Sequence, residues 1–168
     1  NGALTITARP ITVDANDQST TYGTALSLGT SAYTISSGSL ATGNGNNDAI
    51  SAVTLQYSSN ATVAATTTAG TYSGGIIASA ASGTGLGNYA ITYTAGNLTV
   101  NKATLTVNAN NQTKVYGAAN PTLSEPITGY VNSETISVVT GTPTATTTAT
   151  TATGVGNATI TASTSGLS

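Results

Sequence analysis

The sequence contains no cysteine, histidine, methionine, tryptophan or phenylalanine, and only 5% of its 168 residues are charged. About 25% is usual for a globular domain. Without histidine and cysteine there is no imidazole base, no thiol nucleophile and no soft metal ligand. Neither a Ser-His-Asp nor a Cys-His catalytic site can therefore be formed. We expect a protein that is not an enzyme and that holds no cofactor.

Positive charge and long apolar segments are also scarce. Arg9, Lys102 and Lys114 are the only cations, and the formal net charge is −2. Three scattered cations cannot neutralise a phosphate backbone, so we expect no nucleic-acid partner. The longest apolar runs are only a few residues, such as Ile76-Ile77-Ala78. This is far below the roughly 20 residues of a membrane-spanning helix, so we expect no membrane insertion.

The residues that dominate instead are Thr, Ala, Ser, Gly and Asn. Thr favours strands, whereas Gly and Asn favour the turns between them. Disorder is the competing interpretation of such a composition. Apolar and polar residues nevertheless alternate with period two in several segments, which is typical of half-buried strands. The clearest segments are 4–6, 11–13, 89–93, 98–100 and 105–107. No helical stripe competes with them, and the sequence predicts an all-β fold.

The chain contains an internal repeat. Residues 2–23 (GALTITARPITVDANDQSTTYG) align with residues 96–117 (GNLTVNKATLTVNANNQTKVYG) at a constant offset of 94. The offset then falls to 86 where Asp48 meets Glu134, and to 84 where Gly70 meets Gly154. A falling offset indicates shorter loops in the second copy, because loops are where repeats differ most.

Particular motifs in both copies resemble a known family. The second copy has Lys114-Val-Tyr-Gly-Ala-Ala-Asn-Pro, followed by Gly129-Tyr-Val-Asn, and the first copy has Thr21-Tyr-Gly-Thr. These motifs resemble the MBG repeat of the Tyr-Gly-x type, found in tandem in large bacterial surface proteins such as filamentous-haemagglutinin-like adhesins. The resemblance implies two tandem Ig-like or Greek-key antiparallel β-sandwiches, no catalytic residues, and an extracellular or cell-surface location.

The alignment predicts three segments along the chain. Residues 8–101 form the first sandwich, and residues 102–168 form a second sandwich that lacks its closing strands. Residues 1–7 align with the closing strand of the first copy. They are either the closing strand of a preceding repeat in a longer array or a donor strand for another subunit. In the second case Ala3, Leu4, Thr5, Ile6 and Thr7 would pair with a neighbouring repeat or with an identical subunit, since an open edge invites strand addition.

Three other groups of residues are candidate sites. Asp14, Asn16 and Asp17 form a weak calcium candidate, because calcium prefers clustered oxygen ligands, although a polar turn explains the same residues. Tyr22 and Tyr116 precede Gly at matched positions, and we expect them in the core rather than stacked on sugar. Four asparagines fit the glycosylation pattern, which this composition also produces by chance: Asn60, Asn97, Asn111 and Asn157.

These patterns leave three functional hypotheses. The first is a stalk or fibre module of a surface adhesin, stiffened by a strand running from Leu98 to Val107 across both copies. The second is a subunit that polymerises by strand donation. The third is a carbohydrate- or cell-binding module with a host or cell-surface ligand, which would require exposed aromatic side chains clustered on one face.

Overall fold

The computed structural model describes residues 1–168 and divides them into two compact units, Asn1–Lys102 and Ala103–Ser168. Both units consist of β-strands joined by turns, with two single-turn 3₁₀ helices at Leu86–Asn88 and Ile136–Val138. The predicted all-β fold is therefore confirmed. The unit boundary lies next to the predicted one, and residues 1–8 belong to no strand.

The first unit contains eleven strands, numbered in chain order. Their bounds are β1 (Arg9–Ala15), β2 (Gln18–Thr21), β3 (Leu26–Ser27), β4 (Tyr33–Ser37), β5 (Thr42–Gly43), β6 (Asn46–Asn47), β7 (Ala49–Gln56), β8 (Thr62–Val63), β9 (Gly70–Thr84), β10 (Tyr89–Thr94) and β11 (Gly96–Asn101). The smaller main sheet has the order β10-β1-β4, and the larger has the order β2-β11-β9-β7. The remaining strands form the short pairs β3-β8 and β5-β6.

The sheets are mixed rather than purely antiparallel. β1 pairs with β4, β9 with β11 and β7 with β9 in the predicted antiparallel sense. β1 with β10 and β2 with β11 are parallel. The reason is that the chain crosses from the smaller to the larger sheet twice, between β1 and β2 and again between β10 and β11. β1 and β10 both lead into such a crossing, and β2 and β11 both follow one. Because the two crossings run side by side in the same direction, β1 is parallel to β10 and β2 is parallel to β11.

The core of the first unit follows from the period-two patterns. In β1 the alternate residues Ile11, Val13 and Ala15 are buried, and their neighbours Thr12 and Asp14 face the other side of the sheet. The other buried apolar side chains come mainly from the larger sheet: Leu28, Val53, Leu55, Val63, Ile76, Ala78, Leu98 and Val100. Burial of one such side chain contributes roughly 1.5–3 kcal/mol, so this single cluster dominates the stability of the unit.

The second unit has fewer strands. Its four strands are β12 (Thr106–Val107), which pairs with β13 (Ile127–Thr128), and β14 (Thr144–Thr147), which pairs with β15 (Ile160–Ser163). The buried core cluster lies entirely in the first unit, and Pro143 is the one buried residue of the second unit. Several of its large apolar side chains are exposed instead, among them Val115, Ile136, Val138 and Val155.

The predicted continuous strand from Leu98 to Val107 is wrong. β11 ends at Asn101 and β12 begins at Thr106, with no strand at 102–105. The break has a topological cause, because β11 pairs within the first unit and β12 pairs within the second. Residues 102–105 therefore have no common sheet to join.

Candidate functional site

β11 is the strand that completes the first unit. It lies between β2 and β9: Leu98 is opposite Gln18 on one side and Tyr72 on the other, and Val100 is opposite Thr20 and Gly70. The Leu98 and Val100 side chains are both buried in the core. Because both edges of β11 are used, the larger sheet exists as one piece only while this strand is in place.

The second unit has sequence counterparts of the two strands that flank β11. By the repeat offsets, residues 112–115 correspond to β2, and residues 154–157 correspond to the first residues of β9. Neither segment forms a strand. Both segments contribute to the lining of a cavity of about 270 Å³, through Gln112, Thr113 and Lys114 on the one hand and residues 154–157 on the other.

A lysine beside the cavity connects two segments of the second unit. The Lys114 ammonium donates hydrogen bonds to the carbonyl oxygen of Ala118 at 3.2 Å, to Asn120 Oδ1 at 2.8 Å and to the carbonyl oxygen of Thr150 at 2.7 Å. The Asn120 amide in turn donates to the carbonyl oxygen of Ala149 at 2.7 Å. Side-chain hydrogen bonds therefore connect residues 114–120 with residues 149–150, which no sheet ladder joins.

The N-terminal segment matches β11 in sequence but not in structure. Ala3, Leu4, Thr5, Ile6 and Thr7 belong to no strand, and the side chains of Leu4 and Ile6 are 89% and 88% exposed. At the matched repeat positions Leu98 and Val100 are buried. A segment with the sequence of a core strand is thus present without the core contacts that such a strand makes.

The predicted calcium residues are placed around the crossings between sheets. The Asp17 carboxylate accepts the backbone N–H of Asn97 at 2.7 Å and the Asn97 side-chain amide at 3.4 Å. Asn16 donates its backbone N–H to the carbonyl oxygen of Ala32, and Oδ1 of Asp14 is buried without a hydrogen-bond partner. No group of three or more acidic, histidine or cysteine side chains is close enough to share a metal ion. The Asp17 carboxylate thereby connects the crossing between β1 and β2 to the start of β11.

The two matched tyrosines have different environments. Tyr22 packs against the core of the first unit, as predicted. The prediction for Tyr116 is wrong, because its side chain is 65% exposed and lines the cavity. The difference has a physical cause: the second unit has no buried apolar cluster for the ring to join.

The four candidate glycosylation residues are all exposed. Asn60 lies in the turn where Tyr57 and Asn60 bridge. Asn97 lies in β11, where its Oδ1 also accepts the backbone N–H of Gly74 at 3.1 Å. Asn111 and Asn157 belong to no strand, and Asn157 lines the cavity. Glycan attachment stays a prediction at all four.

Sequence reasoning missed a polar cluster in the first unit. The Tyr89 hydroxyl donates to Asp48 Oδ2 at 2.8 Å and accepts the backbone N–H of Ala41 at 2.6 Å. Gly85, at φ +73°, lies so close to the Asp48 carboxylate that a Cβ would collide with it. The signal was the carboxylate that recurs at 48 and 134 in both repeats, which indicates a structural use in each copy.

No helix in the structure has the length and apolarity needed to cross a membrane. A family model described as MBG domain (YGX type) matches residues 11–99 and again residues 105–167. No curated protein and no solved structure matches the chain significantly.

Proposed function

Because the chain belongs to the MBG domain (YGX type) family, we propose that it is a structural, non-catalytic stalk or fibre module of a bacterial surface adhesin or extracellular filament. The observation that carries the proposal is the tandem match, which covers nearly the whole chain and leaves only residues 100–104 between the two copies. The repeated β-units occupy almost the whole sequence. We expect the function of such a protein to depend on how the units are spaced rather than on a catalytic site.

The short connection supports a mechanical role. Long Gly/Ser-rich linkers behave as flexible coils, but here the last matched residue of one copy and the first of the next are Thr99 and Leu105. Few charges also suit an exported stalk, since interactions between exposed charges weaken with salt. Such a module keeps its stability across the varied ionic conditions outside a cell.

The positions of the tyrosines support a stalk over a carbohydrate-binding module. Sugar-binding faces present exposed aromatic rings, as the third hypothesis requires. Five of the eight tyrosines pack against the core of the first unit: Tyr22, Tyr33, Tyr57, Tyr72 and Tyr89. Few aromatic side chains therefore remain to form a stacking platform.

The proposal can be tested by measuring the distance between the two units. The chain has no cysteine, so exposed Thr66 and Thr151 can be changed to cysteine and spin-labelled uniquely. A stalk predicts a narrow distance distribution. A control with about ten Gly and Ser residues inserted after Asn101 should broaden it, because such an insertion is a flexible coil. A native distribution as broad as that of the insertion variant would refute a stiff stalk.

A further inference from the structure

We propose that the first unit bears tension, and that two of its segments form a shear clamp that resists force applied along the chain. The clamp consists of residues 9–21, which contain β1 and β2, and residues 89–101, which contain β10 and β11. The inference deepens the proposed stalk or fibre function and rests on it, because a stalk that anchors a cell is pulled along its length.

The two segments of the clamp run side by side in one parallel register through both main sheets. Partners are 80 residues apart in the smaller sheet and also in the larger one: Arg9 with Tyr89, Asp14 with Thr94, Gln18 with Leu98 and Thr21 with Asn101. Neither segment therefore gains or loses a residue relative to the other where the chain crosses between the sheets. The β1-β10 and β2-β11 ladders together form a single long parallel pair.

Contacts at the crossings connect the two ladders. The Asp17 carboxylate accepts the backbone N–H of Asn97 at 2.7 Å, and these residues are again 80 apart. Gly96 lies so close to the other crossing that a Cβ on it would be 2.5 Å from the carbonyl oxygen of Ala15 and 2.8 Å from that of Asn16. The segments thus stay in contact between the sheets, and force applied to one passes to the other along the whole clamp.

The parallel direction decides how tension acts on the clamp. The chain enters at the start of residues 9–21 and leaves at the end of residues 89–101, so these two points lie at opposite ends of the parallel pair. Tension then slides the segments past each other and loads the evenly spaced hydrogen bonds of both ladders together. In an antiparallel pair the two points would lie at the same end, and tension would open the hydrogen bonds one after another.

Core packing also opposes sliding of the two segments. Ile11 and Val13 on β1 are at most 2% exposed, and Leu98 and Val100 on β11 are at most 3% exposed. A slip by one residue would turn these buried side chains to the outer face of their sheet. Failure of the clamp therefore requires the core to open. Residues 22–88 lie between the two segments in the chain, so they carry no tension until the clamp fails.

The test is single-molecule force spectroscopy of the full chain, with two introduced cysteines as attachment points that set the direction of pull. The chain has no cysteine of its own, and Ala8, Gly87 and Lys102 are exposed. A Cβ on Gly87 would meet no atom within 4 Å. Ala8→Cys with Lys102→Cys loads the clamp in shear. Ala8→Cys with Gly87→Cys pulls on adjacent ends of β1 and β10 and unzips them.

We expect the shear direction to unfold the first unit at a several-fold higher force than the unzipping direction, because the hydrogen bonds share the load only in shear. Unfolding in shear should occur in one step that lengthens the chain by roughly 300 Å, given about 3.3–3.6 Å for each extended residue. Equal unfolding forces in the two directions would overturn the inference.

A matched pair of variants separates the clamp from ordinary stability. Val13 in β1 and Val53 in β7 are both 0% exposed, but only Val13 belongs to the clamp. Val13→Ala and Val53→Ala should lower the melting temperature by similar amounts, since each empties a buried valine position. Val13→Ala should lower the unfolding force in shear more than Val53→Ala does. Equal losses of force would show that resistance follows the stability of the whole unit, which would overturn the clamp.

The spin-label distance distinguishes a failure of this inference from a failure of the proposed stalk. A narrow distance together with equal forces in the two directions would overturn the clamp and leave the stalk standing. A broad distance together with a much stronger shear direction would refute the stiff stalk and support the clamp as a property of the first unit alone.

Discussion

The Asp17 carboxylate accepts the backbone N–H of Asn97 at 2.7 Å, across a sequence separation of 80 residues. Asp17 lies between β1 and β2, and Asn97 is the second residue of β11, directly after the crossing from β10. The hydrogen bond therefore joins two parallel crossings that no ladder connects directly. We expect Asp17→Ala to lower the free energy of unfolding by about 1.5 kcal/mol, the lower end of the range for a hydrogen bond to a charged group, because Asp17 is exposed. Urea denaturation of the full chain measures this.

Asp17→Asn is the matched control, because the amide keeps one oxygen that can accept the N–H of Asn97. We expect it to lose less stability than the alanine variant. Equal losses in both variants would show that the carboxylate acts in another way. Repeating the urea denaturation of the native chain in the presence of a chelator tests the calcium alternative at Asp14, Asn16 and Asp17. A lower free energy of unfolding in chelator would favour a bound cation over the hydrogen bond from Asn97 as the role of Asp17.

The glycine at the start of β11 should be equally sensitive. Gly96→Ala would place a Cβ within 2.5 Å of the Ala15 carbonyl oxygen, so the two crossings would have to separate. We expect a loss of about 2 kcal/mol or more, in the range of steric and overpacking changes in a core. The thermal midpoint of unfolding reports it.

Gly70→Ala provides the control for that variant. Gly70 lies opposite Val100 in the same sheet, and a Cβ there would meet no atom within 4 Å. Glycine inside a strand weakens it, so Gly70→Ala should leave the thermal midpoint unchanged or raise it slightly. A loss as large as that of Gly96→Ala would mean that the close approach at Gly96 is not the cause.

The sequence predicted three of the alternating strands but not their partners, and the alternating residues 4–6 form no strand. Residues 11–13, 89–93 and 98–100 lie in β1, β10 and β11 as expected. The longest strand, β9 (Gly70–Thr84), was not predicted, because its Gly, Ala and Ser residues carry little alternation. Parallel pairing of β1 with β10 depends on contacts about 80 residues apart, which no local pattern encodes.

The site was predictable only in part, for a related reason. Comparison of the repeats showed that residues 2–7 have the sequence pattern of β11. The burial of Tyr116 could not be inferred from that of Tyr22, because burial depends on a core cluster, which only the first unit has. The Lys114 contacts also escaped prediction, since the counterpart of Lys114 in the first copy is Thr20.

Alkaline pH should destabilise the first unit through Tyr57. Burial, followed by the nearby Tyr72, raises the pKa of Tyr57 above its usual 10.0. The two rings meet edge to face, with centroids 5.5 Å apart. Folding therefore favours the neutral phenol. This contribution to stability is complete below pH about 10 and is lost as the pH rises through the folded-state pKa.

Urea denaturation at several pH values between 8 and 12 measures this dependence. Tyr57→Phe cannot ionise, so its free energy of unfolding should fall less steeply above pH 10 than that of the native chain. Tyr116→Phe is the matched control for the loss of one hydroxyl, because the Tyr116 side chain is largely exposed. Identical slopes in the native chain and Tyr57→Phe would exclude Tyr57 as the source.

The repeat supplies a matched pair of apolar residues whose burial differs between the two units. Ile11 and Leu105 occupy the same repeat position, yet Ile11 is 2% exposed and Leu105 is 38% exposed. Ile11→Ala should cost about 2–5 kcal/mol, the usual range for emptying a packed core position. Leu105→Ala should cost well under half of that, because its side chain never leaves water fully. Urea denaturation with a fluorescence or NMR probe in each unit resolves the two values. Equal losses at the two positions would show that exposure of Leu105 does not decide how much its side chain contributes to stability.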